Sequence, residues 1–186
     1  MCKKGGLYMS TTKKLCICAI CIAMCYVIPA ALHPFGLGPA LSPLHLPILV
    51  CGIICGPIHG LACSVIGPML STLLTGMPST YLLPTMLPEL IAYGMLGGYL
   101  FRRIKVKSLV LKVYLTLFPT MFFGRLIGAL SKAAFYLLGM FGVQAFSFSQ
   151  VVTAYFVTTL PAIVLQLIIV PLLIATLKEE KLIKIR

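Results

Sequence analysis

The chain has 186 residues, 60% of them hydrophobic and 10% charged, with a formal net charge of +12; soluble domains carry roughly 25% charged residues. A water-soluble fold is excluded, because this composition would expose more apolar surface than a dispersed protein tolerates. Nucleic acid is excluded as a partner by the placement of the charge: of 15 basic residues, 13 fall in three compact clusters, at the N-terminus, between Arg102 and Lys112, and at the C-terminus, leaving only Arg125 and Lys132.

What remains is an all-α integral membrane protein. Spans of ~20 apolar residues with short connectors allow about six crossings in one membrane domain and no sizeable extramembrane part. The first helix is predicted over about 15–31 and is read as a retained span rather than a cleaved signal, since Pro29, Ala30 and Ala31 lead into further hydrophobic sequence. A Pro- and Gly-rich connector follows. The second helix, about 41–56, is short for a crossing and contains Pro43 and Pro47. It is expected to be tilted, broken or partly outside the hydrocarbon layer, which requires protein to cover its backbone. A break at Gly56-Pro57 opens the third helix, about 58–75, and after the turn at 76–81 a fourth runs over about 82–101. The fifth is predicted over about 109–138 and the sixth over about 151–177.

Lys and Arg collect in cytoplasmic loops. With six crossings, all three basic clusters share one side, so both termini are expected in the cytoplasm of a multi-pass cell-membrane protein. The Gly56-Pro57 turn should lie on that side too, yet His59 is the basic residue it offers.

Charged side chains inside a bilayer are expensive and mark functional sites. Three qualify. Glu89 lies about eight residues from the outer end of helix four, ~12 Å deep at 1.5 Å per residue. Arg125 is ~20 Å from the inner side by the same rise, and Lys132 is two turns further out. Arg125, Gly128, Lys132 and Tyr136 recur at helical spacing, and that face cannot point at lipid. One reading has Arg125 and Lys132 lining a polar cavity open to the outside, completed by Ser42, His45, Thr80, Tyr81, Gln144, Ser147 and Ser149. The other has Glu89 and Arg125 as a buried structural ion pair with Lys132 snorkelling to the interface. His45, between Pro43 and Pro47, is the histidine placed best for ligand contact. On helix one, Ala19 and Ala23 put two small residues on one face, which lets another helix approach closely.

The sequence offers no catalytic constellation. There is no His-Glu-x-x-His, no Gly-x-Ser-x-Gly and no second carboxylate near Glu89. Nor is there a phosphate-cradling Gly-Lys-Ser/Thr loop, so no cofactor is expected and any ATP hydrolysis belongs to another protein. Seven of the eight cysteines sit in apolar runs, where Cys acts as a small soft hydrophobe, and no metal site is expected from them.

Two stretches carry a family resemblance: Leu-Ser-Pro-Leu-His-Leu-Pro-Ile-Leu-Val-Cys-Gly-Ile-Ile-Cys-Gly-Pro-Ile-His-Gly-Leu at 41–61 and Gly-Pro-Met-Leu-Ser-Thr-Leu-Leu-Thr-Gly-Met-Pro at 67–78. With Pro-Glu-Leu-Ile-Ala-Tyr-Gly at 88–94 and Gly-Arg-Leu-Ile-Gly at 124–128, the chain resembles the substrate-specificity (S) components of energy-coupling factor (ECF) transporters. The resemblance implies six helices and a ligand pocket near the outer face. It implies import of a water-soluble vitamin or precursor with a transmembrane coupling subunit and two ATPase subunits, the coupling subunit meeting helix one around Ala19 and Ala23. Val27 stands where a third small residue is often found. The Leu-Ser-Pro-Leu-His-Leu-Pro run replaces acidic residues seen near the first connector in riboflavin-binding relatives, which disfavours riboflavin. Two cations against one acid favour a carboxylate-bearing or zwitterionic ligand such as pantothenate. The competing class is a stand-alone ion-coupled carrier, for which Glu89 and three histidines are a thin titratable relay.

Overall fold

Proline and glycine set the helix boundaries. Gly56 ends one helix at φ 98°, a backbone conformation that side-chain-bearing residues avoid, and Pro57 opens the next at the position where its missing N–H costs nothing. The computed structural model describes residues 7–32, 34, 42–139, 153, 157–179 and 184–185. Among them are six helices: α1 (Thr11–Leu32), α2 (His45–Cys55), α3 (Pro57–Thr75), α4 (Leu83–Arg103), α5 (Leu109–Leu137) and α6 (Leu160–Glu179). Two short strands, β1 (Leu7–Tyr8) and β2 (Lys184–Ile185), pair antiparallel.

The expected helices are present, with three changes of boundary, the first being that α1 starts at Thr11 rather than 15. The second helix starts at His45 rather than at 41, so His45 belongs to its first turn instead of to a connector. The last helix begins at Leu160 rather than 151; of the expected extra turns, 151–152 and 154–156 lie outside the described residues. Four helices are long and apolar enough to cross a bilayer: Thr11–Leu32, Pro57–Thr75, Leu109–Leu137 and Leu160–Lys178. The α4 helix has 21 residues but carries Glu89 and a C-terminal arginine pair. With 11 residues, α2 reaches only ~16 Å. All 11 are buried, so protein rather than lipid surrounds this short helix, as the sequence required.

The outer surface is apolar. Leu15, Ile20 and Val27 on α1, Leu73 and Leu74 on α3, Phe118, Phe122 and Leu130 on α5, and Ile168 and Leu172 on α6 all face outward. In water this would drive aggregation; against acyl chains it is the matching solvent.

At the centre, α2, α3 and α4 touch through their backbones. A Cβ placed on Gly52 or Gly60 would overlap the Gly94 carbonyl, one on Gly94 would overlap Gly60, and one on Gly98 would run into Gly52 and the Gly56–Pro57 turn. Contact this close between main chains is available only to glycine. Beside the junction lie buried thiols from three helices: Cys18, Cys21 and Cys25 on α1, Cys51 and Cys55 on α2, and Cys63 on α3, all unbridged. They fill core space as small hydrophobes, and several point weakly at carbonyls, Cys18 and Cys51 at His59 O over 3.6 and 3.5 Å.

One end of the bundle gathers the basic clusters. The β1–β2 pair joins the two terminal segments, and Cys55 Sγ faces Lys14 O at 3.5 Å. Arg102 Nη2 donates to Cys55 O at 3.0 Å, and its guanidinium lies where a side chain on Gly56 would sit. The turn that lacked basic residues of its own thus receives one from α4, and it shares this end with both termini. Lys112 departs from the expected connector cluster. It is 4% exposed, and its Nζ sits 4.4 Å from the centroid of Phe101, because the first turn of α5 packs the residue inward and the aromatic face replaces solvent.

Candidate functional site

The short length of α2 sets the position of the polar residues. Its N-terminus stops well inside the bundle, and its first residue, His45, meets α4. His45 Nε2 lies 3.2 Å from Glu89 Oε1, Nδ1 lies 3.3 Å from Ser42 O, and the ring packs edge-on against Tyr93 at a centroid distance of 4.8 Å. Both ring nitrogens face oxygens.

Tyr93 continues the connection to α5. Its hydroxyl donates to Met121 O at 3.3 Å, and its ring covers Gly124, where any Cβ would press on the ring carbons. The next residue, Arg125, is 4% exposed and reaches α6, donating from Nη1 to Thr159 Oγ1. One turn and a half further along α5, Ser131 donates to Thr85 O at the start of α4, at 3.2 Å. His45, Glu89, Tyr93 and Arg125 thus form one polar layer across α2, α4, α5 and α6. It lies ~21 Å from Arg103 along α4 and ~24 Å from Leu109 along α5, well away from the basic end.

Of the residues anticipated from sequence, the structure brings His45, Glu89 and the backbone of Ser42 together, and Arg125 follows Gly124, over which the Tyr93 ring lies. The Glu89–Arg125 pair offered as one alternative is not the one formed. The ion pair of Glu89 is with His45, since α2 inserts its first turn against α4. Lys132 and Tyr136 are half-buried further along α5, Tyr81 is exposed at 68%, Thr80 is exposed, and Gln144, Ser147 and Ser149 lie outside the described residues. Ala19 and Ala23 are exposed on α1.

Three buried or bonded polar residues escaped the sequence reading, which took its neutral polar candidates from the outer connectors and from Tyr136. Tyr93 and Thr159 resemble ordinary helix residues. Gln166 does carry a signal, a single amide in the middle of Leu-Pro-Ala-Ile-Val-Leu-Gln-Leu-Ile-Ile-Val-Pro. It is 1% exposed, and neither of its amide atoms has a hydrogen-bond partner among the described residues.

Comparison with known families settles the kind of protein in which this layer sits. Residues 13–174 match the family described as ECF transporter, substrate-specific component. The chain belongs to that family. No curated protein and no solved structure gives a match. The matched region of this S component runs from the first turn of α1 to the last turns of α6, so it contains the polar layer, the glycine junction and the outward-facing apolar surface together. Membership makes the protein a membrane-embedded transporter component rather than an enzyme.

Proposed function

We propose that this S component captures a carboxylate-bearing, water-soluble vitamin or vitamin precursor, with pantothenate the leading candidate, outside the cell and delivers it to the cytoplasm. The observation that carries the reading is Arg125: a buried arginine at membrane depth on α5, one residue after the Gly124 that packs under the Tyr93 ring. A guanidinium offers five donors in a fork that matches a carboxylate, and Nη1 donates to the Thr159 hydroxyl just before α6. The truncated α2 supports the same placement, because its N-terminal dipole favours an anion above the layer. Lys132 and Tyr136 lie on the path between this layer and the far end of α5. Ser42 and His45 form the wall on the α2 side, Tyr81 belongs to the mouth, and Gln144 is a further proposed ligand contact.

In this reading six helices cross the plasma membrane and both termini are cytoplasmic, which the shared basic end favours under the positive-inside rule. A transmembrane coupling subunit and two ATPase subunits supply the energy, and the exposed Ala19–Ala23 face of α1 receives the coupling subunit by close helix packing. The test is uptake of labelled pantothenate into proteoliposomes. Accumulation that requires the coupling and ATPase subunits and ATP is expected. Gradient-driven accumulation by this chain alone would establish the ion-coupled carrier in its place.

A further inference from the structure

We infer that Gln166 is a second anchor of the ligand, recognising an amide-like donor–acceptor edge on a molecule whose acid end meets Arg125; this deepens the binding reading above and rests on it. Gln166 is 1% exposed, and its Nε2 and Oε1 are both buried with no hydrogen-bond partner among the described residues. Leaving a buried polar group unmade costs roughly 1–3 kcal/mol, and a primary amide brings both a donor and an acceptor. Among the described residues, the helices that α6 packs against most are α5 and α2. Beyond His45, the buried residues of α2 are apolar, Gly, Pro or Cys. The buried hydroxyls of α5 are already committed, Thr116 to Lys112 O at 2.8 Å and Thr120 to Thr116 O at 2.7 Å.

Position ties the amide to the site. Seven residues separate Gln166 from Thr159, the residue before α6 whose carbonyl accepts from Ile163 N, so the amide lies two turns, about 10 Å, along the axis from it. Between the two in sequence is buried Ala162, whose methyl is the smallest side chain that could stand between them. Helical side chains lean toward the helix N-terminus, and the N-terminus of α6 is at Leu160, so the amide is carried toward Thr159 and its partner Arg125. A ligand with a carboxylate at Arg125 and an amide several ångströms away would satisfy both ends. A molecule lacking that edge would strand the Gln166 amide, which is how buried polar groups reject near-matches.

The experiment titrates pantothenate, which carries a carboxylate and a secondary amide, against the full chain purified in detergent, with thermal stability recorded with and without ligand. The variants are Gln166→Leu, Gln166→Met and Arg125→Ala. Gln166→Leu is expected to bind pantothenate roughly tenfold or more weakly, while its ligand-free melting temperature stays equal to or above wild type because an unsatisfied amide has been removed. Gln166→Met repeats the measurement should the branched leucine misfold. An ester analogue of pantothenate, with the amide N–H replaced by oxygen, should bind wild type about tenfold more weakly and bind Gln166→Leu no worse than pantothenate does. Affinity within twofold of wild type in Gln166→Leu, or an unchanged preference for amide over ester, overturns the role of Gln166. If Arg125→Ala loses affinity in that case, the ligand site stands and only this inference falls. If Arg125→Ala also binds normally, or wild type does not bind pantothenate, the acid-and-amide ligand falls with it.

Discussion

Two regions of the bundle are held together by opposite means. Toward the basic end, Gly52, Gly60, Gly94 and Gly98 bring α2, α3 and α4 into main-chain contact by having no side chains. Toward the far end, His45, Glu89, Tyr93 and Arg125 join α2, α4, α5 and α6 by polar bonds made out of reach of water. The first arrangement gains dispersion contact and loses little, since no polar group is desolvated beyond the helix backbones. The second spends stability, because buried ionisable groups seldom recover their hydration in full. A membrane protein that needed only to fold would build both halves like the first, which is why we propose the polar layer as the part retained for a solute.

Substitution at the junction should have the largest structural effect. Gly94→Leu inserts a branched side chain between two backbones, and loss of the folded monomer in size-exclusion chromatography is expected. Gly94→Ala should destabilise by about 3 kcal/mol or more, above the usual cost of overpacking, because carbonyl groups rather than flexible side chains must give way. Detergent-based thermal unfolding measures it; wild-type stability in Gly94→Ala would dissolve the distinction between the regions.

In the polar layer the effects on folding should be smaller. Glu89→Ala leaves the His45 imidazole buried without its partner and should cost about 1–3 kcal/mol, whereas Glu89→Gln retains an acceptor and should recover most of that loss. Tyr93→Phe is expected to be milder still, about 1 kcal/mol, from the single bond to Met121 O; the edge-on contact with His45 remains. The order Gly94→Ala, Glu89→Ala, Tyr93→Phe is checked by unfolding the three variants under one set of conditions.

Much of the fold was legible in the sequence because the bilayer constrains it heavily. Apolar runs, Pro-Gly punctuation and basic clusters located the helices to within a few residues except at the start of the last, and the short Pro-bearing segment correctly demanded protein cover. Pairing was less legible. Depth along the sequential helices put Glu89 beside Arg125, but depth says nothing about rotation, and α2 brings His45 to Glu89 first. Arg102 over the Gly56 turn and Lys112 over Phe101 are tertiary contacts with no local signature. Gln166 was visible as an isolated amide, yet a search that took its neutral polar candidates from the outer connectors and from Tyr136 passed over it; in a membrane interior an uncharged polar residue calls for a partner by the same physics.

The central claim is that the Arg125 layer holds an acidic solute. Mass spectrometry of small molecules retained by purified wild type and Arg125→Ala tests it most directly, with expression and melting temperature as controls. The account predicts a carboxylate-bearing metabolite in the wild type that is absent from a folded Arg125→Ala protein; equal retention of that metabolite by both would contradict it.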